Sequence, residues 1–310
     1  VASTGTSGRV LHDDGSVAFV KSGALPGLLA VEARGLRALA AAGARVPEVL
    51  RAEDDRLEIE WIEDAGRATP QTEAAFGREL AALHHESRLP EAEDDWFGAV
   101  DGPADAAGRA GSSGNGPAQA AGAEATGPER GKAWLGAAEI DLTPCPTWAE
   151  SWVVRRVVPL AGQAAATGSA PARVRDLAGR LAELTDGFGP GSPATHPGAA
   201  VLGGAEPSSL VHGDLWAGNR LIDGQGRSWL IDPCAHRGHR EVDLAMMDLF
   251  GGFGRQAWEA YDDVFPLAEG WQDRVLAYQA VPLLVHAVLF GGGYGRQAEA
   301  SLEHAVRLGG

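Results

Sequence analysis

Between Leu210 and Asp232 the chain reads LVHGDLWAGNRLIDGQGRSWLID. Two apolar runs, RLI and SWLI, flank DGQG, and turn residues between apolar runs predict a β-hairpin. Pairing the two runs puts Asn219 at one foot and Asp232 at the other, so an amide and a carboxylate reach the same side of a cleft. Asp214 precedes Asn219 by five positions. A loop of that length lets a carboxylate face a hydroxyl while the amide oxygen turns toward a divalent cation. Mg²⁺ takes few protein oxygens and fills its remaining positions with phosphate and water, which an Asn and one Asp can accommodate.

Composition narrows the context. The 310 residues are 45% hydrophobic and 22% charged, enough for two lobes with buried cores. Only 26 basic residues stand against 42 acidic ones, a net charge of -16, which argues against broad nucleic-acid binding. Cys145 and Cys234 sit in no disulfide or zinc pattern, so a reducing cytoplasm is expected. No basic, apolar leader and no apolar run of about 18 residues is read, so no membrane role is expected.

The first hundred residues alternate strand and helix. VAFVK closes a strand at Lys21; a helix follows between Pro26 and Gly43; LEIEWIED reads as a strand and TEAAFGRELAALHHES as a second helix. From Asp101 to about Lys132 no aromatic or large aliphatic residue occurs, which predicts a mobile insertion. Residues 187 to 207 read as a long loop. Beyond the insertion the apolar periodicity is helical, around the two strands of the hairpin. The expected fold class is α+β and bilobal: a small N-lobe with an antiparallel sheet over 1–63, and a larger, mainly helical C-lobe over 64–310.

The order Lys21, Glu32, Asp214, Asn219, Asp232 matches the protein-kinase pattern of strand lysine, helix glutamate, D-x4-N loop and strand-end aspartate. HGDLWAGN, the IDP containing Asp232, GHREVDLAMMDLFGGF and LLVHAVLFGGGY together resemble the fructosamine (ketosamine) kinase family, a branch of the aminoglycoside-phosphotransferase-like and protein-kinase-like fold. The resemblance runs from about Gly15 to Tyr294, and Trp216 with the GHRE…DLFGGF continuation is its most specific part.

That resemblance implies ATP- and Mg²⁺-dependent phosphorylation of a sugar hydroxyl, typically the 3-hydroxyl, on a fructosyl or ribulosyl amine, whether small-molecule ketosamine or glycated protein. The phosphorylated adduct then decomposes, which ties the family to deglycation repair. In its terms Asp214 would orient or deprotonate the hydroxyl, Asn219 and Asp232 would hold Mg²⁺, Lys21 paired with Glu32 would hold the α/β-phosphates, and Glu60, Trp61 and Ile62 would form the adenine hinge. Competing expectations are an aminoglycoside, choline or homoserine phosphotransferase, and an inactive kinase-like binding module.

Around this set, Trp216, Trp271 and Tyr278 are candidates to line a sugar pocket, although core packing is the commoner use of aromatics. His212 is expected to hydrogen-bond within its loop and Asp243 in GHREVD to brace that loop from the start of a helix, with Arg240 a further candidate behind the site. His84, His85 and His286 have no metal-binding spacing and are expected in packing or at the surface. STGTSGRV, with Gly5 and Gly8, is the one stretch resembling a phosphate loop, and a frayed terminus is the equal alternative. A monomer is expected.

Overall fold

The computed structural model describes residues 5–89, 95–102 and 131–310. The stretch expected to be a mobile insertion lies, from 103 to 130, outside the described residues; Lys132, placed at its end, instead opens a strand.

Strands β1 (Thr6–Leu11), β2 (Val17–Ser22), β3 (Val49–Ala52) and β4 (Arg56–Glu60) form an antiparallel sheet ordered β1-β2-β4-β3. Phe19 pairs with Ile59 and Lys21 with Leu57, so these four side chains share one face. Helix α1 (Leu28–Ala41) covers that face with Leu29, Ala33, Leu36 and Leu39, spaced for one helical stripe. The strand expected in LEIEWIED stops at Glu60, where the chain leaves the sheet. Helix α2 (Pro70–Glu86) starts at a reciprocal cap: Thr69 Oγ1 accepts from Thr72 N–H, Thr72 Oγ1 from Thr69 N–H, and Pro70 occupies the first turn.

β5 (Gly98–Ala99) belongs to a later sheet, and β6 (Lys132–Leu135) and β7 (Ala138–Asp141) make a hairpin. A π-helical segment, Glu150–Val157, runs into α3 (Val158–Ala166), followed by α4 (Arg173–Thr185). Residues 187 to 207, expected as loop, contain the short helix α5 (Pro197–Leu202), whose Val201 and Leu202 are buried. Next come β8 (Ser209–Val211), the predicted hairpin of β9 (Arg220–Ile222) and β10 (Ser228–Leu230), and β11 (His236–Gly238), which pairs with both β8 and β5. Helices α6 (Glu241–Phe250), α7 (Arg255–Val264), α8 (Trp271–Tyr278), α9 (Ala280–Phe290) and α10 (Tyr294–Gly309) complete the chain.

Two apolar clusters result. One gathers α3, α4, α8, α9 and α10 with the β6–β7 hairpin. The other joins α1 and β4 to α2, α7, Leu215, Leu230 and Leu244, so it bridges the small sheet and the helical part. One correction concerns apolar length: Trp271–Phe290 is long and apolar enough by composition to cross a membrane, and 67% of it is buried inside the protein. A core helix pair meets that test because both of its faces pack.

Candidate active site

β8 delivers His212, Gly213 and Asp214, while the β9–β10 hairpin returns Asp232. Asp243, fully buried in the first turn of α6, accepts from His212 N–H at 2.7 Å and Gly213 N–H at 2.8 Å. It is also 3.1 Å from His84 Nε2, and His84 Nδ1 is 2.8 Å from the Tyr261 hydroxyl. Burial alone would raise the Asp243 pKa; His84, His212 and the loop N–H groups outweigh it and hold the carboxyl below its ordinary value. Asp243 thus ties the loop to α6 through these hydrogen bonds.

His212 is buried, with Nε2 2.9 Å from Ile231 O and Nδ1 accepting from Asp214 N–H. Burial lowers its pKa, so it is a neutral donor–acceptor inside the loop. Arg240 does not touch the loop. Its guanidinium pairs with Glu206 and donates to the carbonyls of Phe265 and Pro266, so the fold does not bring it against Asp214.

Asp214 is partly buried, and Asn219 Nδ2 donates to its backbone oxygen at 2.8 Å and to Oδ2 at 3.1 Å. Desolvation pushes its pKa up to about 7; the Asn219 bond opposes the shift, and Asp232 and Asp243 add to it. The bond orients the amide so that Asn219 Oδ1 has no hydrogen-bond partner among the described residues.

Lys21 Nζ lies 2.7 Å from Glu32 Oε1 and 2.7 Å from Asp232 Oδ1. Burial works against its charge, but the two carboxylates win and its pKa is raised. Asp232 has φ 54°, the sole non-glycine residue with positive φ among the described residues, a sparsely populated conformation that recurs at functional sites.

Lys21, Glu32, Asp214, Asn219 and Asp232 all line one cleft of about 340 Å³, together with Gly5, Thr6 and Ser7. Of the early glycines, Gly8 lies in the edge strand β1 opposite Val20, and Gly5 immediately precedes that strand with φ +97°, where a Cβ would come 2.1 Å from Ser22 O. Glu60 ends β4 and Trp61 and Ile62 follow it, but none of the three is among the residues lining this cleft. Glu60 N–H bonds Glu48 O, Trp61 Nε1 donates to Glu63, and Ile62 is buried.

Trp216 is 41% exposed at the cleft, its ring edge-on to Phe250 at 6.2 Å. With Asp214 it also lines a neighbouring apolar cavity of about 200 Å³ bounded by Met246, Phe250, His286 and Phe290. The other two aromatic candidates lie elsewhere. Tyr278 is buried, donating to Leu202 O and accepting from Trp148 Nε1, both at 2.8 Å; Trp271 stacks on Trp258 at 5.8 Å. Both sit on a helix whose periodic face is core, so packing rather than the cleft claims them.

Two contributors were missed in the sequence. Trp134 and Gly136 of the β6–β7 hairpin line the cleft; the signal was a glycine between short apolar stretches, KAWLGAAEI, next to low-complexity sequence. The second is a buried pair behind the loop. Arg156 donates to His236 Nε2 at 2.8 Å, and His236 Nδ1–H to Cys234 O at 2.8 Å. Gly213, φ +79°, rests on that carbonyl: a Cβ there would be 2.2 Å from Cys234 O. Burial brings Arg156 down to about 10 and His236 down to about 3, so a charged guanidinium holds a neutral imidazole that fixes the segment between Asp232 and the loop. No local motif marks it, because residues 156 and 236 meet only through the fold.

A small antiparallel sheet carrying an ion-paired lysine, set against a helical lobe carrying the D-x4-N loop and strand-end aspartate, defines the protein-kinase-like fold. The fructosamine kinase family model matches residues 132–307. A probable ketoamine kinase of Thermus thermophilus is 32% identical over 272 residues, covering 87% of this chain and 79% of that protein. A Thermobifida fusca YX-ER1 crystal structure assigned as a fructosamine-3-kinase superposes with a TM-score of 0.71 at 31% identity, covering 97% of this chain and 93% of that one. The chain belongs to the fructosamine kinase family. With a probable ketoamine kinase of Enterococcus faecium it is 45% identical over 108 residues, 34% of this chain and only 39% of that protein's length.

Proposed function

We propose that the protein transfers the γ-phosphoryl group of ATP to a sugar hydroxyl, the 3-hydroxyl, of fructosamines or ribulosamines, and so serves deglycation repair. The observation that carries this is the meeting of Lys21, Glu32, Asp232, Asp214 and Asn219 in one cleft beside the Trp216 cavity.

The donor set suits Mg²⁺. It consists of oxygens from one amide and one carboxylate, with Asn219 Oδ1 left unpartnered among the described residues and Asp232 already held by a cation. Mg²⁺ bound by Asn219 and Asp232 would neutralise charge on the phosphates. Lys21, steadied by Glu32, would hold the α/β-phosphates, and Asp232 with Asn219 would hold the metal. Asp214 orients the acceptor hydroxyl and takes its proton, and the Asn219 bond keeps that carboxylate in place. Such transfers depend on positioning and charge stabilisation more than on covalent chemistry. Glu60, Trp61 and Ile62 are assigned to the adenine hinge at the junction of an N-lobe (1–63) with a C-lobe (64–310). Trp216 with its neighbouring cavity receives the acceptor, a small-molecule ketosamine or a glycated side chain of a protein. A cytoplasmic monomer accords with this role.

The test is ADP release from Mg·ATP with fructosyl-amine, ribulosyl-amine, aminoglycoside, choline and homoserine acceptors. Turnover with the ketosamines supports the assignment. Turnover with only another acceptor replaces it, and absence of both nucleotide-induced thermal shift and hydrolysis identifies a binding module.

A further inference from the structure

Helices α6 and α9 both run out in Leu-Phe-Gly-Gly, at residues 249–252 and 289–292. Gly251 and Gly291 take φ 65° and 66°, a conformation that suits glycine and ends each helix, so Phe250 and Phe290 are the last helical residues. Phe250 is 40% exposed and Phe290 60%, and both line the cavity of about 200 Å³ beside Trp216. The His286 ring packs against both, 5.1 Å from Phe250 and 5.5 Å from Phe290, its Nδ1–H given to Pro282 O at 2.7 Å. Exposed aromatic rings gathered at one cavity mark a surface that a ligand covers.

Gly136, Asp214 and Trp216 line this cavity and the polar cleft alike, so an acceptor with its hydroxyl at Asp214 continues into the cavity. A ketosamine has two ends to put there. The sugar end carries several hydroxyls, and burial among Met246, Phe250, Val285, Leu289 and Phe290 leaves them short of partners. The nitrogen end carries whatever the parent amine carried. A hydrocarbon there gains by leaving water. A carboxylate does not: among the described residues no Lys or Arg lines the cavity, its one carboxylate is Asp214, and the negative ends of two helices border it.

We propose that this cavity takes the nitrogen substituent of the acceptor and selects for hydrocarbon. The substrates are then ketosamines of alkyl or arylalkyl amines, the methylene stem of a lysine side chain included. Ketosamines with a carboxylate on the carbon next to nitrogen, as on the α-amino group of a free amino acid, are rejected. This selection rests on the ketosamine-kinase reading for what happens at Asp214, and it specifies which amines supply the substrate. It follows from desolvation of the substituent, so it acts on binding as well as on turnover.

The experiment gives the full chain a series of 1-amino-1-deoxyfructoses whose nitrogen carries ethyl, propyl, butyl, pentyl, phenylethyl or carboxymethyl, and measures both Mg·ATP-dependent turnover and calorimetric binding. Each added methylene is expected to raise kcat/KM and affinity about fourfold until the cavity is full, with the carboxymethyl compound weakest. A lysine ketosamine blocked at its α-groups, run beside the free alkylamine compounds, distinguishes a protein side chain from a small amine as the source; both are expected to exceed the carboxymethyl compound. Phe290→Lys, at an exposed position, is expected to leave the thermal midpoint unchanged and to cut the pentyl-over-carboxymethyl ratio by roughly tenfold. Turnover that ignores the substituent leaves the kinase reading standing and overturns the selection. Binding that follows hydrocarbon length without turnover does the reverse. Tightest binding of the carboxymethyl compound, binding of choline but of none of the series, no binding at all, or an unchanged ratio in Phe290→Lys overturns the proposal.

Discussion

Replacing Asp243 by asparagine keeps the side chain's shape and removes one of its two acceptor oxygens. Oδ1 takes Gly213 N–H, and Oδ2 takes His212 N–H and faces His84 Nε2. Asparagine can turn its oxygen to one backbone N–H only; its NH₂ then opposes the other, and a change of tautomer lets His84 adapt but not the peptide group. One charge-assisted hydrogen bond is lost and one buried donor is left unsatisfied, a cost of about 2–4 kcal/mol. With a urea dependence of about 3 kcal/mol/M for a chain this long, the unfolding midpoint falls by roughly 1 M. Turnover falls with it, because the same N–H groups hold the residues flanking Asp214, while nucleotide KM changes little.

The pH dependence sharpens the test. The folded pKa of Asp243 lies below its unfolded value, so its contribution is fully present above the unfolded pKa and disappears as pH falls through the folded one. The stability gap between wild type and Asp243→Asn therefore narrows in acid. A midpoint shift of less than about 0.2 M at neutral pH, well under the cost of one lost buried bond, would refute the bracing argument.

Asp214→Asn is expected to reduce turnover by about 10² to 10⁴ while nucleotide affinity stays within a few-fold, measured by steady-state kinetics and calorimetry. With Asp214 raised to about 7, its active carboxylate form is lost as pH falls, so kcat/KM drops below neutrality; a flat profile from about pH 5 to 8 contradicts this. Arg156→Met leaves His236 Nε2 without its donor, costing about 1–3 kcal/mol of stability and lowering kcat more than nucleotide KM. Trp216→Ala is expected to raise acceptor KM by roughly tenfold, the loss of about 1.4 kcal/mol of contact, with nucleotide KM unchanged.

What could be read along the chain was whatever depends on near neighbours. The D-x4-N spacing, the DGQG hairpin, the capped helix α2 and the lysine next to the last residue of β2 are local, and each reappears in the folded chain. Reading failed where burial decides: Trp271 and Tyr278 are aromatic like Trp216, yet only Trp216 leaves its element toward the cleft. It failed also for β1 and the β6–β7 hairpin, whose short strands are held by pairing to partners rather than by their own periodicity.

The sequence alone was sufficient for the fold class and the five polar residues of the cleft, because turn chemistry, apolar period and loop spacing are properties of consecutive residues; the family was legible only through the resemblance carried by HGDLWAGN and GHREVDLAMMDLFGGF. Tertiary structure decided the rest. The fold sets Lys21 between Glu32 and Asp232, which keeps its proton on, and buries Asp214 until its carboxyl titrates near 7. It brings Arg156 to His236 across 80 positions of chain. Charge, hydration and contact at these atoms depend on what packs around them, and that neighbourhood exists only after the chain has folded.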